Sequence, residues 1–133
     1  KFLSEIFSEM YSSGRYRKLF GIIEACYGGS VASKCEGIPN LLMMAAANDK
    51  ETSKAELYSS LWGTYLTNSF TSSVLNQISK SAYNNLSINE LYMAAFSNTM
   101  GSHVTLYNVE HFGNVFMNYV NDYTWNYIYS TPE

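Results

Sequence analysis

Phe2, Leu3, Ile6, Phe7 and Met10 recur at helical spacing, so residues 2–12 are predicted to form one amphipathic helix, ended by Ser12-Ser13-Gly14. Residues 18–25, KLFGIIEA, are a short apolar run rich in β-formers, set between the charged segment RYRK and Gly28-Gly29. That is the pattern of a buried strand. GGSVASK, after Cys26, predicts a tight turn into a short helix, and Gly37-Ile38-Pro39-Asn40 a loop. LLMMAAA (41–47) predicts a second buried strand, although Met and Ala also suit a helix. Asn48 to Thr52 is polar and predicts a loop. Leu66, Phe70, Val74, Leu75 and Ile78 place a helix over 66–80. Ser87 and Glu90 have the spacing of a capping box, opening a helix to about Asn98 with Leu91, Ala94 and Ala95 inward. HVTLY (103–107) alternates as a third strand, and the aromatic segment that follows fits no single element.

Helices alternating with strands argue for an α/β fold with a parallel sheet. Three strands fall below the roughly five to six of an average sheet. The chain also opens on a crossover helix with no strand before it, and buried parallel strands need neighbours on both sides. The expectation is therefore that residues 1–133 are the C-terminal portion of one larger domain.

Composition narrows the chemistry. With 47% hydrophobic and 14% charged residues the chain is too apolar for a disordered tail. A net charge of -3 and the absence of a Lys/Arg cluster argue against a phosphate-backbone footprint. The longest apolar run, Leu41 to Ala47, is far short of a membrane span. The N-terminal KFLSEIFSEM lacks the basic start and cleavage site of a signal peptide. Two cysteines are too few for a disulfide framework and leave a single bridge open. No metal-ligand cluster or phosphate loop stands out, so no metal or cofactor is expected.

Cys26 is the leading candidate for chemistry. It lies between a predicted strand and a predicted helix, where the crevice of an open α/β sheet forms. Helix-end N–H groups there favour a thiolate, and the following glycines let a substrate approach the backbone closely. The competing reading is a buried, inert cysteine at a strand end.

Glu24-Ala25-Cys26-Tyr27-Gly28 is similar to the Gln-Ala-Cys-x-Gly signature around the caspase nucleophile. The longer stretch from Tyr16-Arg17-Lys18 through Ile23-Glu24-Ala25-Cys26-Tyr27-Gly28-Gly29-Ser30 resembles the nucleophile region of legumains, the asparaginyl endopeptidases of the C13 cysteine peptidases. Ala46-Ala47-Asn48, Glu51-Thr52-Ser53, Thr64-Tyr65-Leu66, Ser102-His103-Val104 and Tyr107-Asn108 keep that family's order and spacing. The likeness covers roughly residues 1–116. Subunits of the GPI-anchor transamidase share much of the pattern, but usually carry Asp-Thr-Cys where Glu-Ala-Cys stands here.

The resemblance implies a caspase-like fold, a mostly parallel sheet flanked by helices, completed by a missing N-terminal chain. It implies a cysteine endopeptidase with a Cys-His dyad, cutting after Asn or a similar polar residue. Cys26 would be the nucleophile, and its backbone N–H part of the oxyanion hole. The dyad His and its neighbouring Gly lie upstream of the Cys in the family, so they would come from the N-terminal chain of the same precursor, separated by a processing cut before Lys1. Neither His103, read as a structural strand residue, nor His111, read as a loop residue, matches a catalytic position. The substrate pocket would be lined by Glu24, by Thr52 and Ser53 where the family has a Ser-Ser pair, and by Asn68 where it has Asp. Asn68 brings no charge and adds donors, which bears on asparagine selectivity. The family points to a secreted, periplasmic or lysosome-like compartment.

Two alternatives share the residues: a transpeptidase or ligase in which an amine outcompetes water at the thioester, and a catalytically silent interaction subunit. Met43-Met44 reads as core packing, Lys54 and Glu56 as solvated. Tyr119, Tyr123, Trp125, Tyr127 and Tyr129 read as packing onto the sheet or a partner chain.

Overall fold

The computed structural model describes residues 2–52, 58–61, 64–65 and 68–124. Its centre is the apolar run after Pro39. Leu41–Ala45 forms strand β2, and every residue of it is buried. Leu19–Ile23 forms β1 and pairs with β2 in parallel, Leu19 opposite Leu41 and Ile23 opposite Ala45. Thr105–Tyr107 forms the third strand of this sheet, labelled β5 because a small antiparallel hairpin intervenes, β3 (Tyr58–Ser59) with β4 (Thr64–Tyr65). β5 runs antiparallel to β2, with Ala45 opposite Thr105. The sheet order is therefore β1-β2-β5, with one parallel and one antiparallel pairing.

Period-two alternation sorts the side chains of β2 onto two faces. Leu41, Met43 and Ala45 pack with Ala32, Cys35 and Ile38, joined by Phe7, Leu19, Ile23 and Tyr107. Of these, Phe7 comes from helix α1 (Leu3–Ser12), Ala32 from helix α2 (Gly28–Ala32) and Cys35 from the 3-10 turn Ser33–Cys35 that extends it. On the other face Met44 and Ala46 meet Phe70 and Val74 of α3 (Ser69–Ser81) and Leu91 and Ala95 of α4 (Ile88–Asn98). Leu42 meets Ile88 and Phe112, the last residue of α5 (Val109–Phe112). Both faces are covered, which is why the strand reads as an uninterrupted apolar run rather than an alternating one.

The helix boundaries follow local chemistry. Asn68 caps α3, its side-chain oxygen accepting the Thr71 N–H at 2.8 Å. The expected capping box opens α4: Ser87 accepts from the Glu90 N–H at 3.1 Å and Glu90 accepts from the Ser87 N–H at 2.7 Å. The helix expected from Leu66 begins at Ser69; Leu66 and Thr67 lie outside the described residues. His111 lies in α5, a single helical turn, rather than in a loop. His103 precedes the strand that was expected to contain it and is exposed. No disulfide joins the two cysteines: Cys35 is buried and Cys26 exposed. Tyr123 does pack onto the sheet, edge-on to Phe20 with ring centroids 6.0 Å apart. Burial, with Asp122 beside it, pushes the Tyr123 phenol up to about 12. Lys54, Glu56, Trp125, Tyr127 and Tyr129 lie outside the described residues.

One buried amide ties the far end of the sheet together. Asn108, left-handed at φ 71°, follows β5. Its Nδ2 donates to the carbonyls of Ile38 (2.8 Å) and Leu41 (2.6 Å), and its Oδ1 accepts the Gly37 N–H at 2.8 Å. Asn tolerates this backbone region better than most residues. Asn108→Ala strands three backbone groups at once, so a loss of about 2–4 kcal/mol is expected. Urea denaturation measures it, with Asn84→Ala at an exposed Asn as a control expected to stay within about 0.5 kcal/mol.

Candidate functional site

Parallel pairing brings the carboxyl ends of β1 and β2 to one edge of the sheet, and the antiparallel β5 begins at that same edge. Ligand crevices of open α/β sheets form at the carboxyl ends of strands. Three segments meet there: the turn 24–27 after β1, the loop 46–52 after β2, and residues 102–104 before β5.

The first segment carries Cys26, exposed rather than packed into the core. Tyr27 follows with φ 56° and ψ 27°, the left-handed region, and serves as N-cap of α2. For a residue other than glycine that conformation costs about 1–2 kcal/mol. The turn is held by the Gly28 N–H on the Ala25 carbonyl (3.0 Å) and the Tyr27 N–H on the Glu51 carbonyl (2.9 Å). Gly28 and Gly29, expected to let a substrate approach, are buried and instead admit the chain's own loop. A Cβ at Gly29 would collide with the Tyr107 hydroxyl and lie 2.7 Å from the backbone of Asn48 and Asp49.

The second segment folds around Glu51. Its Oε1 accepts the Asn48 N–H at 3.1 Å and the His103 N–H, and its Oε2 faces His103 Nδ1 at 2.9 Å. Burial pushes the Glu51 carboxyl up, but hydrogen bonds from the His103 ring and backbone and from Asn48 outweigh it and hold the group below its ordinary value. Ser102 adds a hydrogen bond from its hydroxyl to the Ala46 carbonyl at 2.7 Å.

Glu24 and Asn68 come together through a residue that sequence reasoning did not single out. Glu24 is exposed, and its Oε2 accepts from the Thr71 hydroxyl at 3.0 Å, while the Thr71 N–H donates to Asn68 Oδ1. The Asn68 oxygen, expected to face a substrate amide, is thus engaged at the head of α3. An Asn three residues before Thr71, ahead of the apolar positions Phe70 and Val74, is the signal that marks it as a cap. Thr52 is exposed directly after Glu51; Ser53 lies outside the described residues.

The histidines divide by position. The His111 carbonyl accepts the Asn40 N–H, which puts that residue at the start of β2, the opposite end of the sheet from Cys26. A five-residue strand spans about 16 Å. His103 shares the edge with Cys26 but leads into a strand two positions away, about 10 Å across the sheet, and its Nδ1 is engaged by Glu51. Among the described residues no group of three or more His, Cys, Asp or Glu is placed to hold a metal.

Compared with known proteins, residues 1–122 match the family model described as the Peptidase C13 family. No curated protein matches the chain.

Two outcomes test this arrangement. Asn68→Ala removes the cap of α3 and is expected to cost about 1 kcal/mol, whereas Asn68→Asp, an equal cap, leaves stability within a few tenths; thermal melts distinguish them. Because the Glu51 carboxyl is held low in the fold, its contribution is present above the ordinary carboxyl value of about 4.3 and is lost as pH falls through the folded value. Glu51→Gln is therefore expected to lower the urea midpoint at neutral pH, with the difference from the parent narrowing below about pH 4.

Proposed function

The chain belongs to the Peptidase C13 family of cysteine peptidases, and from that membership we propose that it carries the nucleophile of a legumain-like cysteine endopeptidase, Cys26. The observation that supports the reading most is the exposure of Cys26 on a turn beyond the carboxyl end of a core strand, with Glu24, Thr71 and Asn68 linked beside it. A structural cysteine is normally buried, as Cys35 is in its 3-10 turn.

The Cys26 thiolate attacks the scissile carbonyl carbon, the C–N bond breaks, and a thioester forms while an imidazole gives its proton to the leaving amine. The same imidazole then takes a proton from water, which attacks the thioester, releases the carboxylic acid and restores the thiol. The Cys26 backbone N–H would hold the oxyanion together with a donor beside the imidazole. Losing one such donor costs about 2.7–4 kcal/mol in a well-studied protease.

Neither described histidine serves as that imidazole in this reading, so it comes from another segment. The free side of β1 is where that segment belongs. Among the described residues β1 pairs only with β2, and Ile22 is 39% exposed at this edge. A parallel strand added there buries Ile22 and brings its own carboxyl end, carrying His and Gly, next to Cys26. An N-terminal chain of the same precursor supplies it.

The pocket reading gives Glu24, Thr52, Ser53 and Asn68 the P1 side chain. With Asn68 in place of the family's Asp, the rim offers an amide rather than a carboxylate, so discrimination for asparagine is broader than in a legumain. Asn68→Asp is expected to sharpen it.

Alkylation tests the reading. In the assembly with the histidine-bearing chain, a peptidyl electrophile ending in Asn labels Cys26 at least about a hundredfold faster than the buried Cys35, and Cys26→Ala abolishes peptide cleavage. Equal, slow labelling of both cysteines leaves only a silent interaction subunit. Mass spectrometry of products formed with an added amine separates hydrolysis from ligation at the same thioester.

A further inference from the structure

We propose that Glu51 is a positioning residue for the nucleophile turn, fixing the peptide that follows Cys26 through its backbone carbonyl while its own carboxylate is clamped by His103 and Asn48. The inference rests on the peptidase reading of Cys26 and goes beyond it by naming what aims the sulfur.

The Glu51 carbonyl accepts the Tyr27 N–H at 2.9 Å. That N–H belongs to the planar peptide joining Cys26 to Tyr27, so the bond sets the plane in which the Cys26 carbonyl lies. Tyr27 is left-handed, a conformation that persists only where surrounding contacts over-determine it. The direction of the Glu51 carbonyl depends in turn on the path of a polar loop. Lys50 N–H donates to Asn48 Oδ1 at 2.8 Å, which shapes the start of that loop. The remaining restraints converge on the Glu51 carboxylate: Asn48 N–H from the end of β2, and His103 N–H and Nδ1 from the approach to β5. One residue thus joins the three segments at the site edge. Thr52, the next residue, is carried by the same clamp, so the pocket wall and the nucleophile turn are placed together.

The test uses the assembly with the histidine-bearing chain and compares the parent with Glu51→Gln, Glu51→Asp and His103→Ala. The probes are a peptidyl electrophile, which must be aligned with the sulfur, and iodoacetamide, which need not be. Expected for Glu51→Gln is peptidyl labelling of Cys26 slowed roughly tenfold or more, with kcat falling more than KM rises and iodoacetamide labelling within about twofold. Glu51→Asp, which keeps the charge, recovers part of the loss. His103→Ala keeps its backbone N–H and is expected to lose less than Glu51→Gln. If the Glu51 variants fail to fold, His103→Ala decides alone, with peptidyl labelling slowed about threefold at unchanged Tm expected. Peptidyl labelling at the parent rate in whichever folded variant decides overturns the positioning role. A parent Cys26 that does not react overturns the peptidase reading instead, a separate outcome.

Discussion

Burial of β2 on both faces is the constraint from which the rest of the structure follows. A strand of Leu, Met and Ala leaves water only if helices cover each face, and its backbone groups are satisfied only if strands pair along each edge. α1 and α2 supply one cover, α3 and α4 the other, and β1 and β5 the pairing. Once β1 lies parallel to β2, the residue three places past Ile23 sits at the sheet rim beside the loop that leaves β2. The location of Cys26 is thus an outcome of core packing two turns of chain away.

At that rim, accuracy comes from backbone hydrogen bonds more than from side-chain packing. The turn that bears Cys26 is pinned by a carbonyl from the neighbouring loop, the loop by a carboxylate, and the carboxylate by the chain entering β5. Gly28 and Gly29 bring the loop close enough for those bonds, since a side chain at Gly29 would meet the loop backbone. Such arrangements suit a reacting group, because loops placed by a rigid sheet combine exposure with a fixed path.

Much of this was legible in the residues. The strands at 18–25 and 41–47, the capping box at Ser87 and the alternation at 103–107 announced their elements because each is a local signal of period or cap. The hairpin of β3 and β4 carried no such signal: its strands are two residues long, too short for alternation to show. The start of α3 was displaced because Leu66 mimics the helical spacing, while the decisive mark was the capping Asn68. The site was readable in its parts and not in its joints. Cys26, Glu24 and Asn68 stand out by type and by family resemblance. The links through Thr71, and from Glu51 to His103, connect residues 47 and 52 positions apart, and only the folded sheet edge brings them into contact.

The cap of α3 has a consequence for how this rim changes over generations. Asn and Asp hold a helix start almost equally well, so exchanging one for the other carries little folding penalty. The charge beside Glu24 can therefore drift by a single amide-to-acid replacement while the scaffold stays intact. In the proposed pocket role of Asn68, selectivity at that spot is free to diverge between lineages without compensating changes elsewhere in the chain.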